Sequence, residues 1–155
     1  MTIFTPLGPV AVEFRGNTIL RLSLRAPGST ISQKKENPEE TRLRADLARY
    51  FAGEKVSFSR YPVDLSSLPE FSRQVLLATR RISYGERWSY GELARRIGRP
   101  RAARAVGQAL KRNPIAIVIP CHRVIGVNGD LRGFAGGLDL KKRLLALEAG
   151  CKPRK

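Results

Sequence analysis

The sequence predicts an α+β fold. A small N-terminal α+β unit spans residues 1–57, a linker follows at 58–68, and a mainly helical unit occupies 69–155. Three observations carry this. Apolar residues alternate with period two near the N-terminus, segments of helical period with their own start and stop signals fill the rest, and turn residues fall between them. The chain has 155 residues, 42% of them hydrophobic, enough to bury a core without disulfides or metals.

Residues 9–14 and 18–24 read as strands joined by a hairpin turn at Arg15-Gly16-Asn17. The stretch 26–36, with Pro, Gly, Ser and Lys, reads as a surface loop. Asn37-Pro38-Glu39-Glu40 is a helix start: Asn37 caps, Pro38 fits the first turn, and Glu40 stands where a capping box needs it. Leu43, Leu47, Tyr50 and Phe51 form that helix's apolar face and Gly53 ends it. This unit is expected to be structural. Pro69-Glu70 opens a helix carrying Phe71, Val75, Leu76 and Ile82, and Tyr84-Gly85-Glu86 reads as a turn.

Ser89 and Glu92 repeat the capping pattern, Leu93 and Ile97 give an apolar face, and Gly98 stops the helix. After Arg99-Pro100-Arg101 a second helix runs from Ala102 to Arg112 with Val106, Ala109 and Leu110 inward. Two short helices about a tight turn, the second rich in arginine, form a helix-turn-helix pattern. The β-branched run ending in Ile119 reads as a buried strand. Val127-Asn128-Gly129-Asp130 reads as a turn and Gly133-Phe134-Ala135-Gly136-Gly137 as a close-approach loop. Asp139 is expected to cap a last helix with Leu140, Leu144 and Leu147 inward and Gly150 past its end. Glu148 shares their face, which is costly for a carboxylate unless it finds a cation or an imidazole; otherwise the helix frays and Glu148 meets water.

Charge narrows the function. Lys and Arg number 29 against 13 Asp and Glu, a net +16, so a polyanionic partner is expected. From Leu93 to Gly129 there is no acid, while Arg95, Arg96, Arg99, Arg101, Arg104, Lys111, Arg112 and Arg123 fall there. A basic face serving solubility alone would mix both signs. No apolar run is long enough to span a membrane, and the N-terminus lacks the pattern of a signal peptide. The arginine excess over lysine and the scarcity of Asn, Gln and Met lean towards a heat-adapted source.

The chemistry concentrates in Pro120-Cys121-His122-Arg123, where a thiol, the chain's single imidazole and a guanidinium follow one another. A thiol next to a base is the minimum for nucleophilic catalysis, and His122 would lower the pKa of Cys121. Two cysteines, Cys121 and Cys151, and one histidine do not make an ordinary zinc site. Upstream, Ala102, Ala103, Ala105 and Gly107 surround Arg104. That small-residue surface either lets the helix approach DNA closely in the minor groove, or simply favours helix and packs on a neighbour.

Together these motifs resemble the O6-alkylguanine-DNA alkyltransferases, the methylated-DNA–protein-cysteine methyltransferases. The resemblance is carried by Asn113-Pro114 through Ile119-Pro120-Cys121-His122-Arg123-Val124. Tyr84-Gly85-Glu86, Ser89-Tyr90, Ala102-Ala103-Arg104-Ala105-Val106-Gly107 and Gly136-Gly137-Leu138 match it as well. It is strongest from Phe71 to Gly150 and loose in the N-terminal unit. It implies a ribonuclease-H-like N-terminal unit and irreversible, single-turnover transfer of an alkyl group from guanine O6, with thymine O4 as a further substrate, to Cys121. By that resemblance His122 takes the thiol proton through a bridging water, Glu148 fixes the imidazole, Tyr90 protonates guanine N3 and Asn113 braces the turn. The carbonyls of Cys121 and Val124 accept from the guanine amino group and the Ala135 N–H meets O6, in a pocket walled by Tyr90, Val124, Phe134, Ala135 and Gly136. Arg104 fills the stack vacated by a flipped base. Ala102, Ala103, Ala105, Gly107, Arg101, Lys111, Arg112 and Arg123 complete the DNA-binding set.

Phe134 and Ala135 depart from a hydroxylic pair in some relatives, which alters the expected tolerance for bulky alkyl groups. The zinc ligands of some relatives are missing, and Cys121 separates the chain from related non-repairing proteins. No cofactor, metal or membrane is implied; the partner is double-stranded DNA, the protein a monomer with cooperative binding left open, and the location cytoplasmic, or nuclear in a eukaryote. Two other readings stand beside this one. A damage sensor would bind DNA and leave Cys121 unmodified, and a cysteine hydrolase using Cys121, His122 and Glu148 would turn over without DNA.

Overall fold

The computed structural model describes residues 2–24, 35, 37–126 and 138–150. The surface loop read at 26–36 (Lys35 apart), the turn at 127–130, the loop holding Phe134, Ala135 and Gly136, and Cys151 lie outside the described residues.

Three antiparallel strands, β1 (Thr2–Thr5), β2 (Gly8–Arg15) and β3 (Thr18–Leu24), form a sheet in the order β1-β2-β3. The Arg15–Asn17 turn closes the β2–β3 hairpin, with Gly16 at φ 61°. β1 escaped the sequence reading because four residues are too few to display a period. Helix α1 (Pro38–Phe51) starts where the capping pattern puts it, the Asn37 side chain accepting from the Glu40 N–H at 2.8 Å. Its Leu43, Leu47, Tyr50 and Phe51 are buried.

The segment read as a linker is packed rather than loose. Phe58, Tyr61 and Leu65 are buried, and Ile19 of β3 bonds Pro62 and Asp64 through its backbone at 2.9 and 3.1 Å. Buried Asp46 of α1 ties the segment down by accepting from the Tyr61 hydroxyl at 2.6 Å and pairing with Arg60. A single cluster of buried apolar residues runs from Ile3 to Leu147.

Helix α2 (Glu70–Thr79) ends before Ile82, which is buried in the turn beyond it. Trp88–Ser89 forms a short strand, β4, and α3 (Tyr90–Arg96) follows with Ser89 accepting from the Glu92 N–H at 3.0 Å. Gly98, at φ 78°, lets the chain leave α3 in a conformation side chains resist. Helix α4 (Ala103–Lys111) buries Val106, Ala109 and Leu110, and α2, α3 and α4 pack together. The last helix, α5 (Leu138–Glu148), begins one residue before Asp139, which lies in its first turn rather than at its cap. Together these elements form an α+β architecture.

The run before Cys121 is not a strand. Ile115 and Ala116 attach to the free edge of β3, where Leu22 bonds Pro114 and Ala116 at 2.9 and 3.1 Å, and the chain then doubles back so that Ala116 bridges Ile119. The turn passes through Ile117 at φ 70°, a conformation that costs a β-branched residue about 1–3 kcal/mol. Cys121–Arg123 is a single 3-10 turn opened by Pro120, and β5 (Val124–Ile125) pairs in parallel with β4.

Candidate active site

Asn113 holds the turn that presents Cys121. Its side-chain N–H donates to the Ile119 carbonyl at 3.0 Å, and its oxygen accepts from the Ile115 N–H at 3.0 Å. Both bonds close the 115–119 loop on itself, which keeps Ile117 in its strained conformation. The Asn113 amide also acts to lower the pKa of the Cys121 thiol. Burial nevertheless pushes the Cys121 thiol above its usual pKa, with Asn113 and Lys141 only partly offsetting it. The low-pKa thiolate expected from the sequence is thus corrected: the resting sulfur is a buried neutral thiol, because desolvation outweighs its neighbours.

His122 is wholly buried. Its Nε2 bonds Oε2 of Glu148, and its Nδ1 is a buried nitrogen with no hydrogen-bond partner in the described structure. Burial lowers the His122 pKa despite the carboxylate beside it, so the resting ring is neutral and Nδ1 can accept a proton. Glu148 is buried too, and burial alone would raise it. Its bonds to His122 and Arg123 and their charge outweigh that and hold it at about 2.

Arg123 was expected on the DNA-binding face. It is buried instead, with Nε 2.7 Å from Glu148 Oε1, one terminal nitrogen 3.2 Å from Oε2 and the other 2.7 Å from the Ile82 carbonyl. Its charge is spent neutralising Glu148, since a buried carboxylate needs a paired cation. Two further donors complete Glu148: the Gly85 N–H at 3.3 Å and the Tyr50 hydroxyl at 2.6 Å. Gly85 sits at φ 83°, so the Tyr84-Gly85 turn can aim that N–H at the carboxylate. Tyr50 and Arg123 are site residues that the sequence reading assigned elsewhere.

Lys141 was not anticipated. It is 1% exposed on α5, donates to the Val124 carbonyl at 2.8 Å and reaches the Tyr90 hydroxyl at 3.4 Å. Burial lowers its pKa to about 8, with the sulfur of Cys121 pulling it back up. A signal was available: 141, 144, 145 and 148 fall at i, i+3, i+4 and i+7, the stripe that places Glu148 inside. Tyr90 opens α3, and its ring lies near Gly107 of α4, where an added Cβ would meet it at 3.7 Å. The Tyr90 hydroxyl thus stands between the basic helix and the buried ammonium.

On α4 the side chain of Arg104 is exposed, as are Ala105, Lys111 and Arg112, with Arg101 exposed just before it. Ala102, Ala103 and Gly107 are half-buried, with Ala102 at the N-cap rather than within the helix. A 330 Å³ cleft is lined by Arg21 and Leu22 of β3, Lys111, Arg112, Asn113 and Cys121, so Cys121 borders a basic opening. Among the described residues no group of His, Cys, Asp and Glu could hold a metal ion, and no helix is long and apolar enough to cross a membrane.

The site thus combines a buried thiol, a hydrogen-bonded His–Glu pair and a neighbouring basic helix. Residues 70–150 match the family described as 6-O-methylguanine DNA methyltransferase, DNA binding domain, and the chain belongs to that family. It is 47% identical over 131 residues to a methylated-DNA–protein-cysteine methyltransferase of Methanosarcina acetivorans, covering 83% of this chain and 79% of the relative. It is 41% identical over 155 residues to the same-named protein of Mycobacterium tuberculosis, covering 98% and 93%. Of solved structures, the Mycobacterium tuberculosis OGT in complex with DNA superposes with a TM-score of 0.83 at 40% identity, covering 98% of this chain and 93% of that one. An O6-methylguanine DNA methyltransferase from Methanococcus jannaschii gives a TM-score of 0.70 at 32% identity, covering 96% and 92%.

Proposed function

We propose that this protein repairs DNA directly, moving an alkyl group from O6 of guanine, and from O4 of thymine, to the sulfur of Cys121. The observation that carries this is a buried Cys121 thiol, lining a cleft with Arg21, Lys111 and Arg112, next in sequence to a neutral His122 that Glu148 anchors. In the step, the sulfur forms a bond to the alkyl carbon while the carbon–O6 bond breaks and its electron pair passes to the guanine. The thiol proton goes to Nδ1 of His122, by way of a water. Glu148 stabilises the imidazolium that results. Tyr90 supplies a proton to N3 of the departing base, and Lys141, whose ammonium lies on that hydroxyl, favours the release. The guanine amino group would share the carbonyl of Val124 with Lys141, since a carbonyl has two lone pairs, and would also meet the carbonyl of Cys121. Phe134, Ala135 and Gly136 would wall the pocket.

We read α3 and α4 as the helix-turn-helix, its small-residue face against the minor groove and Arg104 in the vacated stack, with Arg101, Lys111 and Arg112 on phosphates. The three-stranded sheet and α1 are the described part of what we read as a ribonuclease-H-like unit, with transfer and DNA binding assigned to residues 69–155. The protein acts as a monomer. A thioether on Cys121 has no internal route back to a thiol, so each molecule reacts once.

The test is incubation with a duplex carrying one O6-methylguanine, followed by intact mass and a peptide map. The expected result is a gain of one CH2, confined to the Cys121 peptide, equal in moles to the lesion lost. An unchanged thiol with an unchanged lesion refutes the proposal. Lesion loss that exceeds the protein in moles would point instead to a hydrolase.

A further inference from the structure

We propose that Tyr50 is a positioning residue for the transfer step, a hydrogen-bond anchor through which the N-terminal unit fixes the Glu148 carboxylate behind His122. The inference rests on the functional reading above and assigns a part in it to a residue of the other unit. Tyr50 lies in the last turn of α1, 98 positions away in sequence from the carboxylate it meets, and it is wholly buried. Its hydroxyl donates to Oε2 of Glu148 at 2.6 Å and lies 3.5 Å from Nε2 of His122. Oε2 is the oxygen that holds the imidazole, whereas Oε1 takes Arg123 Nε and the Gly85 N–H. Without Tyr50, Oε2 would keep His122 and one longer bond from Arg123. The tyrosine therefore sets the rotation of the carboxylate about its own axis, and with it the aim of the imidazole.

The ring is itself held. Phe51, Phe58 and Tyr84 pack against it edge-on, with centroids 5.2, 5.8 and 6.0 Å away. A core tyrosine needs one hydrogen-bond partner, and many acceptors would serve. Here the partner is the carboxylate of the proton-transfer pair. Burial and Glu148 keep the phenol protonated across the working range, so Tyr50 is a donor only.

The direction of its effect follows. The charged and titratable groups facing Glu148 are His122, Arg123, Tyr50 and Tyr84, and those facing His122 are Glu148, Arg123, Lys141 and Tyr50 itself. Tyr50 and His122 compete for the electron density of one oxygen. Removing the phenol concentrates that density on His122, raises its pKa and loosens its orientation.

The experiment uses Tyr50→Phe in the full chain, which keeps the ring packing. Because His122 is the sole histidine, its ring resonances report its titration without ambiguity and without any DNA. The expected result is a His122 titration moved upward by about half a unit. The acid limb of the transfer pH profile should move with it, and the high-pH plateau should be about tenfold slower, with duplex affinity unchanged. Tyr84→Phe is the control, because the Tyr84 hydroxyl meets the Leu147 carbonyl at 3.4 Å and not the carboxylate. A fluorinated tyrosine at position 50, a stronger donor of nearly the same shape, should move the His122 titration downward and serves if Tyr50→Phe does not fold. Unmoved titration and rate in these variants, or equal effects from Tyr84→Phe, overturn the assignment. Should the wild type fail to transfer, the functional reading falls, while the titration still decides for or against Tyr50.

Discussion

Replacing Lys141 by methionine should make the protein more stable and less active, and the sign of each change can be derived. Burial carries the ammonium from its ordinary 10.5 down to about 8, a penalty on the charged form of about 3 kcal/mol before allowing for residual solvent. Methionine has nearly the same length and removes that penalty. It also leaves the Val124 carbonyl without the donor that stands at 2.8 Å, which costs about 1–3 kcal/mol. The balance is a gain of about 1 kcal/mol at pH 7, or about 2–4 °C in Tm for a chain of this size.

The pH dependence separates this from a simple packing gain. The folded state holds its Lys141 proton less tightly than the unfolded state does. Between about pH 8 and 10.5 the unfolded chain therefore binds more protons, and wild-type stability rises with pH. The advantage of methionine is thus full below pH 8 and shrinks through that window. Urea unfolding of both proteins at about pH 7 and about pH 9.5 measures it. A variant more than about 1 kcal/mol less stable than wild type at the lower pH, or a difference that does not move with pH, refutes the reasoning. Alkyl transfer should fall at least about tenfold, since the Tyr90 hydroxyl loses its cation as negative charge grows on the leaving base.

Glu148→Gln leaves Arg123 buried without a counter-charge and should cost about 3–5 kcal/mol, most of it recovered by adding Arg123→Met, with transfer lost in both. The same carboxyl, at about 2 when folded against 4.5 ordinarily, lends stability that is full above about pH 4.5 and is lost as pH falls through 2; acid titration of the Gln variant should lack that slope. Arg104→Ala should slow transfer from a duplex by about 10–100-fold through lost support for the flipped state while leaving transfer from free O6-methylguanine base unchanged. Equal loss on both substrates would show that Arg104 serves the pocket and not the helix.

How much of this was legible depended on whether the cause was local. The starts of α1 and α3 could be read because Asn37 and Ser89 each cap a helix with a bond to an N–H three residues on. The inward face of α4 and the burial of Glu148 followed from helical period. The turn at Cys121 could not be read that way. A β-branched run has strand propensity, and it takes two tertiary features, the edge of β3 and the bonds of Asn113, to fold it back through Ile117. Arg123 was misassigned because it falls in the acid-free, basic stretch from Leu93 to Gly129, whereas its partners, Glu148 and Ile82, are 25 and 41 positions away. The same distance hid Tyr50. A tyrosine on an apolar helix face announces that it needs a partner but not which one.

The resting state of the sulfur bears on how a protein that reacts once avoids being spent on the wrong target. A thiolate exposed at the base of a basic cleft would be open to oxidants and to adventitious electrophiles, and susceptibility follows thiolate character and exposure. Here Cys121 is buried and its pKa is raised, His122 is neutral, and Glu148 already has Arg123 for a counter-charge. Moving the thiol proton to His122 therefore separates charge inside a low-dielectric site that is balanced beforehand, and nothing in the resting protein drives it. On the proposed mechanism, what drives it is the developing charge of the reaction itself: the thiolate would disappear as it bonds to the alkyl carbon, and the negative charge would move to a base met by the Tyr90 hydroxyl, on which the Lys141 ammonium lies. Proton transfer and alkyl transfer are coupled because neither charge is stable without the other group in place. The burial that makes Cys121 a poor nucleophile at rest is then what reserves it for a seated lesion. A thiol reagent should react with the free protein far more slowly than with an exposed cysteine at the same pH.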